Sequence, residues 1–412
     1  MAKRQLKRHL GFWDVLMFGV GGIVGAGIYA IIGQAAGLGG NMLWLSFALA
    51  SGTAMLTALS YAEFVSHFPD AGGSYEYIKK GIGPKTALFM SIFMTFTGIV
   101  AAAAIAISFS EYFGRLLPWP RWSTMIGVIL VMAAFNIFGS KHSSRYNAVA
   151  TIITILGLLV VIGFSVPAWG NEDLLQLPQQ GWGGIFAGAA LIFFSYVGFE
   201  DLVKLAEETK EPKKNMPRAI LYSGGIVMVF YVLIAVGAVS VMGSDGLSRA
   251  NGPLSAVLES QWGAIGGTVL AVVALFATSK TILSNILGTS RLLYDVARDS
   301  EIPWLRKFTT ISGIGNAPNW AILAITVVTI LFGLIGDLKV VASISNIFIF
   351  IVFGMVNAAL LRFRYKNPRT GQKDKVFRIA PNYRNLPLPT VLALATIIFL
   401  FFFNVINLLE SG

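Results

Sequence analysis

An uncharged apolar stretch with glycines at its centre constrains the fold of this chain more than any other feature. Residues 15–38 carry no charged side chain and are long enough to cross a bilayer core of about 30 Å. Within them, residues 21–27 read GGIVGAG, and glycine is a poor helix former. Backbone that leaves a helix at membrane depth is tolerated only where protein buries it or where it lines a cavity. The sequence therefore predicts a membrane helix that is interrupted near its middle.

Composition and hydropathy place the whole chain in a membrane. It is 55% hydrophobic and 12% charged, with a mean hydropathy of +0.71, which excludes an ordinary soluble domain. The pattern predicts an all-α polytopic membrane protein in a single transmembrane domain, 1–412. Eleven helices are expected near 14–38, 42–66, 84–113, 122–139, 145–166, 182–208, 219–242, 262–290, 320–336, 340–361 and 388–409.

A second interruption suggests an internal repeat. Residues 193–200 read FFSYVGFE, which breaks the sixth apolar segment and places an acid inside it. Five segments run from the first break to just before the second. After this odd number of crossings, the second five-helix unit has the opposite orientation in the membrane to the first. Paired interrupted helices in inverted units are typical of transporters that bind substrate at the midplane. We expect a 5+5 inverted-repeat (leucine-transporter-like) bundle of 1–170 and 180–364, with broken helices 1 and 6, followed by a loop and an eleventh helix in 365–412.

The distribution of the net charge of +11 indicates topology rather than nucleic-acid binding. Of the 31 Lys and Arg residues, 25 lie in alternate loops on the side of the amino terminus. By the positive-inside rule the amino terminus is cytoplasmic, and the excess charge suits anionic lipid at that surface. The opposite loops hold only Arg115, Arg121, Arg249 and Lys339.

Four short segments resemble signature motifs of the amino acid–polyamine–organocation (APC) superfamily of permeases. The resemblance extends over ten of the eleven predicted helices, and it implies a transporter of amino acids in the cell (plasma) membrane. The segments are GIVGAGIY at 22–29, PDAGGSY at 69–75, FFSYVGFE at 193–200 followed by Glu207-Glu208 and PRAI at 217–220, and SRLLY at 290–294 followed by Ala297-Arg298-Asp299.

The two breaks suit the carboxylate and ammonium groups of an α-amino acid. The half-helix beginning near Gly27 offers N–H groups and a positive dipole end to the carboxylate, and the half-helix ending near Ile23 offers carbonyls to the ammonium. One departure is Ala26, since some relatives carry a serine there. The resemblance also implies an aromatic gate, for which Phe194 and Tyr196 are the candidates. The predicted substrate-binding residues are Ile23, Gly25, Ala26, Gly27, Phe194, Ser195 and Val197. The alternative for the glycines is close helix packing, which Gly-x-x-x-Gly spacing often marks.

Three residues are candidates for ion coupling. Lys280 lies 11 residues before Arg291, about 16 Å along a helix, and so near the midplane. Such an amine can exchange a proton when it loses its water. Proton-coupled relatives often carry a lysine in helix 5, where this chain has Thr154 or Ile155, so we expect Lys280 to supply that ammonium. Its alternative role is structural capping of carbonyls at the break. Glu200, just after the second break, either binds a proton or stabilises the following half-helix.

These features favour a secondary active amino acid transporter, proton-coupled and working by alternating access. An amino acid or polyamine exchanger and a sodium-coupled symporter are the alternatives within transport. The chain has no cysteine, no histidine in a predicted helix core and no phosphate-binding loop, so an enzyme, a cofactor, a bound metal and ATP as energy source are not expected. The sequence leaves the oligomeric state open.

Overall fold

The computed structural model describes residues 8–69, 73–138, 140–300, 303–311, 317–367 and 376–410. Part of the 69–75 motif, the side chain of His142 and the last two residues lie outside this set. In the described part the regular structure is helical, apart from a two-residue hairpin that pairs Asn382–Tyr383 with Leu386–Pro387.

Each predicted apolar segment is helical. Among the described residues, eight helical segments are long and apolar enough to cross a membrane, and three shorter apolar helices accompany them. The helices are α1 (Phe12–Ile23), α2 (Ala26–Gly39), α3 (Leu43–His67), α4 (Ser74–Gly81), α5 (Pro84–Leu116), α6 (Arg121–Ile137), α7 (Ser140–Ser165), α8 (Gly181–Ile192), α9 (Phe199–Leu202), α10 (Pro212–Arg249), α11 (Pro253–Asp299), α12 (Asn319–Gly333), α13 (Leu338–Lys366) and α14 (Leu388–Glu410).

Several helices differ from the predicted bounds. The apolar runs did not predict the short helix α4, because most of its residues are polar. Its buried face consists of Tyr77, Ile78 and Gly81 only. The helices α10 and α11 extend farther into the loops than hydropathy indicates, since charged residues form helix as readily as apolar ones outside the membrane core. Each also turns at a glycine with positive φ, at Gly243 (67°) and Gly263 (68°).

The first predicted break lies between α1 and α2. Val24 has φ −70° and ψ 81°, which are the angles of an inverse γ-turn, and the N–H of Gly25 donates to the carbonyl of Ile23 at 2.7 Å. A new helix then starts at Ala26. The chain therefore changes from one half-helix to the next within two residues.

The second break separates α8 from α9. A 3₁₀ turn, Phe193–Tyr196, leads into extended Val197 and then Gly198, whose φ of 134° is open to glycine only. The Oε2 atom of Glu200 accepts from the Gly198 N–H at 2.7 Å. Glu200 thus occupies the amino-terminal end of α9, where its charge suits the helix dipole.

The helices around α1 and α2 bury the first break. On one side α10 packs against α1, α2 and α3, and on the other α11 packs against α2, α5 and α7. The side chains of Ile23, Val24 and Ala26 are almost fully buried. The first break therefore lies inside the bundle, as the rule for non-helical backbone at membrane depth requires.

A buried ion pair ties α3 to α13. The guanidinium of Arg364 binds both carboxylate oxygens of Glu63, with Nε 2.6 Å from Oε1, and both side chains are at most 2% exposed. The backbone of Ile379 joins the pair, because its N–H donates to Glu63 and its carbonyl accepts from Arg364.

Candidate functional site

The two breaks meet in space. A Cβ placed on Gly198 would lie 2.7 Å from the carbonyl oxygen of Gly22, and one placed on Gly27 would lie 2.5 Å from Cα of Ser195. Only glycine allows these backbones to approach so closely. The structure therefore brings the predicted residues of helix 1 into contact with those of the second break.

Ser195 presents a hydroxyl to the start of α2. Its Oγ is buried, and it makes no hydrogen bond within the described part of the chain. The same atom would lie 3.0 Å from a Cβ on Gly27, so it faces the first turn of α2. Ser195 shares this lack of a partner with other buried polar side chains of the described residues, and it is the one of them that contacts the start of α2 at the first break.

The two predicted gate residues, Phe194 and Tyr196, are both buried beside the second break. Tyr196 donates from its hydroxyl to the carbonyl of Phe47 in α3 at 3.1 Å, and its ring lies 5.3 Å from that of Tyr231. Phe194 is 5% exposed and belongs to the same buried core. Val197 is half-buried in the extended part of the break.

Side chains of α11 and α10 donate hydrogen bonds to the carbonyls at the carboxyl end of α1. The Nζ atom of Lys280 donates to the carbonyls of Gly21 and Val24, both at 3.0 Å, and to Oγ1 of Thr151 at 2.9 Å. Lys280 is only 2% exposed. An ammonium carries three N–H donors, and each of them has an acceptor here. The carbonyl of Ile23 accepts from the Tyr231 hydroxyl at 3.0 Å.

The residue after Lys280 holds the other half of the broken helix. Thr281 accepts from the N–H of Ala26 at 3.2 Å through Oγ1, which also donates to the carbonyl of Ala277. Lys280 and Thr281 of α11 therefore contact both sides of the first break. Although Ala26 lacks a hydroxyl, those of Ser195 and Thr281 stand close to the same helix start.

The other two candidate coupling residues are engaged elsewhere. Thr154 donates to the carbonyl of Ala150 in its own helix at 2.6 Å, and its own carbonyl accepts from Tyr29 at 3.2 Å. Thr151, nearly one turn earlier, is the α7 residue that contacts Lys280. Glu200 binds the Gly198 N–H, as described above. Nearby Lys204 pairs with Asp201.

Three residues of this site, Thr151, Tyr231 and Thr281, were not among the predicted ones. Thr281 adjoins Lys280, so the sequence offered a weak signal for it. Thr151 and Tyr231 lie in apolar helices where hydroxyl-bearing residues recur without any distinguishing spacing. Only the packing of α7 and α10 against the first break reveals them.

Two cavities show how much room the bundle leaves. One of about 10 Å³ lies beside Ile23 and Tyr196, close to the breaks, and has room for about one water molecule. The other, of about 430 Å³, lies between α5, α6, α7 and α11, where apolar side chains line it.

Comparison with known proteins shows the family to which the chain belongs. A family model described as amino acid permease matches residues 10–410. Branched-chain amino acid permease BcaP of Bacillus subtilis (strain 168) is 26% identical over 387 residues, covering 89% of this chain and 83% of that protein. Cationic amino acid transporter 1 of Arabidopsis thaliana is 27% identical over 90% of this chain and 65% of its own length, and cationic amino acid transporter 5 of the same plant is 29% identical over 88% and 66%. The chain thus spans about two thirds of the length of these plant relatives.

Because the family model covers almost all of the chain, the protein belongs to the amino acid permease family of the APC superfamily, which is a family of transporters and not of enzymes.

Proposed function

We propose that this protein is a secondary active amino acid transporter that couples uptake to protons through Lys280. The observation that carries the proposal is the placement of the Lys280 ammonium on the carbonyls of Gly21 and Val24, at the carboxyl end of α1. The relatives are named for branched-chain and for cationic amino acids, which supports an amino acid as the substrate.

The substrate backbone binds between the two breaks in this proposal. Its carboxylate lies at the first turn of α2. There the backbone N–H groups, the positive end of the helix dipole and the Ser195 hydroxyl stabilise a negative charge. Its ammonium binds carbonyls of Ile23 and of the second break, those of Phe194, Ser195 and Val197. Phe194 and Tyr196 close over the ligand.

Proton coupling follows from the number of donors on Lys280. The protonated amine satisfies three acceptors, two on α1 and one on α7. A neutral amine has only two N–H donors, so one of the three donated hydrogen bonds is lost with the proton, and the bonds that stay lose the charge that strengthens them. Loss of the proton therefore loosens α1 from α7 and α11, and this favours the movement that exposes the site to the other side of the membrane.

The position of Lys280 also favours protons over sodium. A sodium ion at the break would need the carbonyl oxygens that the ammonium already binds. Sodium symport and amino acid exchange are the alternatives, and the same experiment separates the three.

We place the protein in the plasma membrane with a cytoplasmic amino terminus, since the positive-inside bias is strong.

The test is uptake by purified protein in liposomes. Labelled leucine and labelled arginine are offered in parallel under a pH gradient, under a sodium gradient, and with neither gradient but with unlabelled amino acid inside. Uptake that needs the pH gradient supports the proposal. Uptake that needs sodium at constant pH contradicts it, as does uptake that needs only internal amino acid.

A further inference from the structure

The Tyr231 hydroxyl connects the two breaks directly. Tyr231 belongs to α10, is fully buried, and places its hydroxyl 3.0 Å from the carbonyl oxygen of Ile23 and 3.4 Å from that of Ser195. Its ring packs between Phe47 and Tyr196, with centroid distances of 5.9 and 5.3 Å. The hydroxyl is therefore held at the point where the two breaks meet.

The Ile23 carbonyl has no remaining capacity in this arrangement. A carbonyl oxygen has two lone pairs. One accepts from the Gly25 N–H at 2.7 Å and the other from Tyr231 at 3.0 Å. An incoming ammonium must therefore replace one of these two donors.

The two donors differ in how readily they can leave. The Gly25 N–H belongs to the turn that forms the break, so its removal requires the backbone to unfold. The Tyr231 hydroxyl needs only a small shift of its side chain, and the Ser195 carbonyl is a second acceptor within reach. The side-chain donor is thus the one that a ligand displaces.

We propose that Tyr231 occupies the ammonium position at Ile23 and sets the affinity for the substrate's amino group by competing with it. This rests on the proposed function, because it assumes an amino acid at the breaks. Tyr231 acts here as a positioning residue. Each binding event exchanges its hydrogen bond for one from the substrate, and this exchange uncouples α10 from the first break.

The test compares Tyr231→Phe with a matched control, Tyr112→Phe. Tyr112 is likewise fully buried and donates to a carbonyl of the same broken helix, that of Tyr29 at 3.0 Å, but away from the break. Equilibrium binding is measured on purified protein with leucine and with 4-methylpentanoate, which is leucine without its amino group. Arginine and 5-guanidinopentanoate form a second pair. Thermal unfolding of each variant without ligand shows whether it is folded.

We expect Tyr231→Phe to bind the amino acid roughly 2- to 12-fold more tightly, since a net hydrogen bond no longer has to be broken. Binding of the deaminated analogue should stay unchanged, and Tyr112→Phe should leave both ligands unchanged. Weaker or equal amino acid binding by Tyr231→Phe would overturn the proposal, and so would an equal gain for the deaminated analogue. If the wild-type protein binds neither amino acid, the proposed function itself fails, which is a different result.

Discussion

Lys280 donates to the carbonyl oxygen of Val24 at 3.0 Å, and Thr281, the next residue, accepts from the N–H of Ala26 at 3.2 Å. Two consecutive residues of α11 therefore bind the two half-helices that the break separates. The ammonium satisfies the carbonyl end and the hydroxyl satisfies the N–H end, in accord with the polarity of each helix terminus. Any movement of α1 relative to α2 must change at least one of these contacts.

Substitutions at Lys280 should separate its charge from its ability to lose a proton. Lys280→Met removes both, and Lys280→Arg keeps donors and charge but cannot be deprotonated. We expect both variants to lose uptake driven by a pH gradient in liposomes. Lys204→Met, which removes a lysine paired with Asp201 at a more exposed position, serves as control and should retain it. Full pH-driven uptake by Lys280→Arg would show that titration of this lysine is not needed.

Ser195→Ala should affect binding without affecting stability. The Ser195 hydroxyl makes no hydrogen bond within the described residues, so its removal leaves the protein's other hydrogen bonds intact. A hydrogen bond to a charged carboxylate is worth about 1.5–3 kcal/mol, so we expect amino acid binding to weaken roughly 10- to 100-fold. Binding measurements and thermal unfolding together check this. A variant that melts earlier but binds normally would place the hydroxyl in a structural role.

Gly198→Ala should abolish transport because the second break cannot accept a side chain. The φ of 134° is strained for alanine, and the new Cβ would lie 2.7 Å from the carbonyl oxygen of Gly22. The matched control is Gly225→Ala in α10, where a Cβ meets no atom within 4 Å. Helical alanine at that position should raise stability by about 0.5–1 kcal/mol. Transport by Gly198→Ala at the rate of the control would contradict the close approach of the two breaks.

The buried pair of Glu63 and Arg364 should show strong coupling in a double-mutant cycle. Either single change, Glu63→Met or Arg364→Met, leaves a charge without its partner in the protein interior. We expect each to lower the free energy of unfolding by about 3–5 kcal/mol. The double variant should recover a large part of that loss, because no unpaired charge is left. Unfolding of the three variants in detergent provides the measurement, and additive losses would argue against the pair.

The local pattern of the chain determined much of the architecture before any tertiary information. Uncharged runs gave the membrane helices, because each must bury its backbone hydrogen bonds within one segment. Glycines marked both breaks, and at Gly27 and Gly198 a Cβ would come within 3.0 Å of the backbone of the other break. The distance from Lys280 to Arg291 along one helix predicted a position near the midplane for this lysine.

Only the tertiary structure decided which groups satisfy the broken backbone. The sequence indicated that Lys280 is deep in the membrane, and packing of α11 against α1 showed that it binds Gly21 and Val24. Thr151, Tyr231 and Thr281 carry no local signal that separates them from other hydroxyl residues in apolar helices. Their roles depend on which face of α7, α10 and α11 turns toward the break. Helix rotation and contact between distant segments are set by side-chain packing across the whole bundle, which local sequence patterns do not specify.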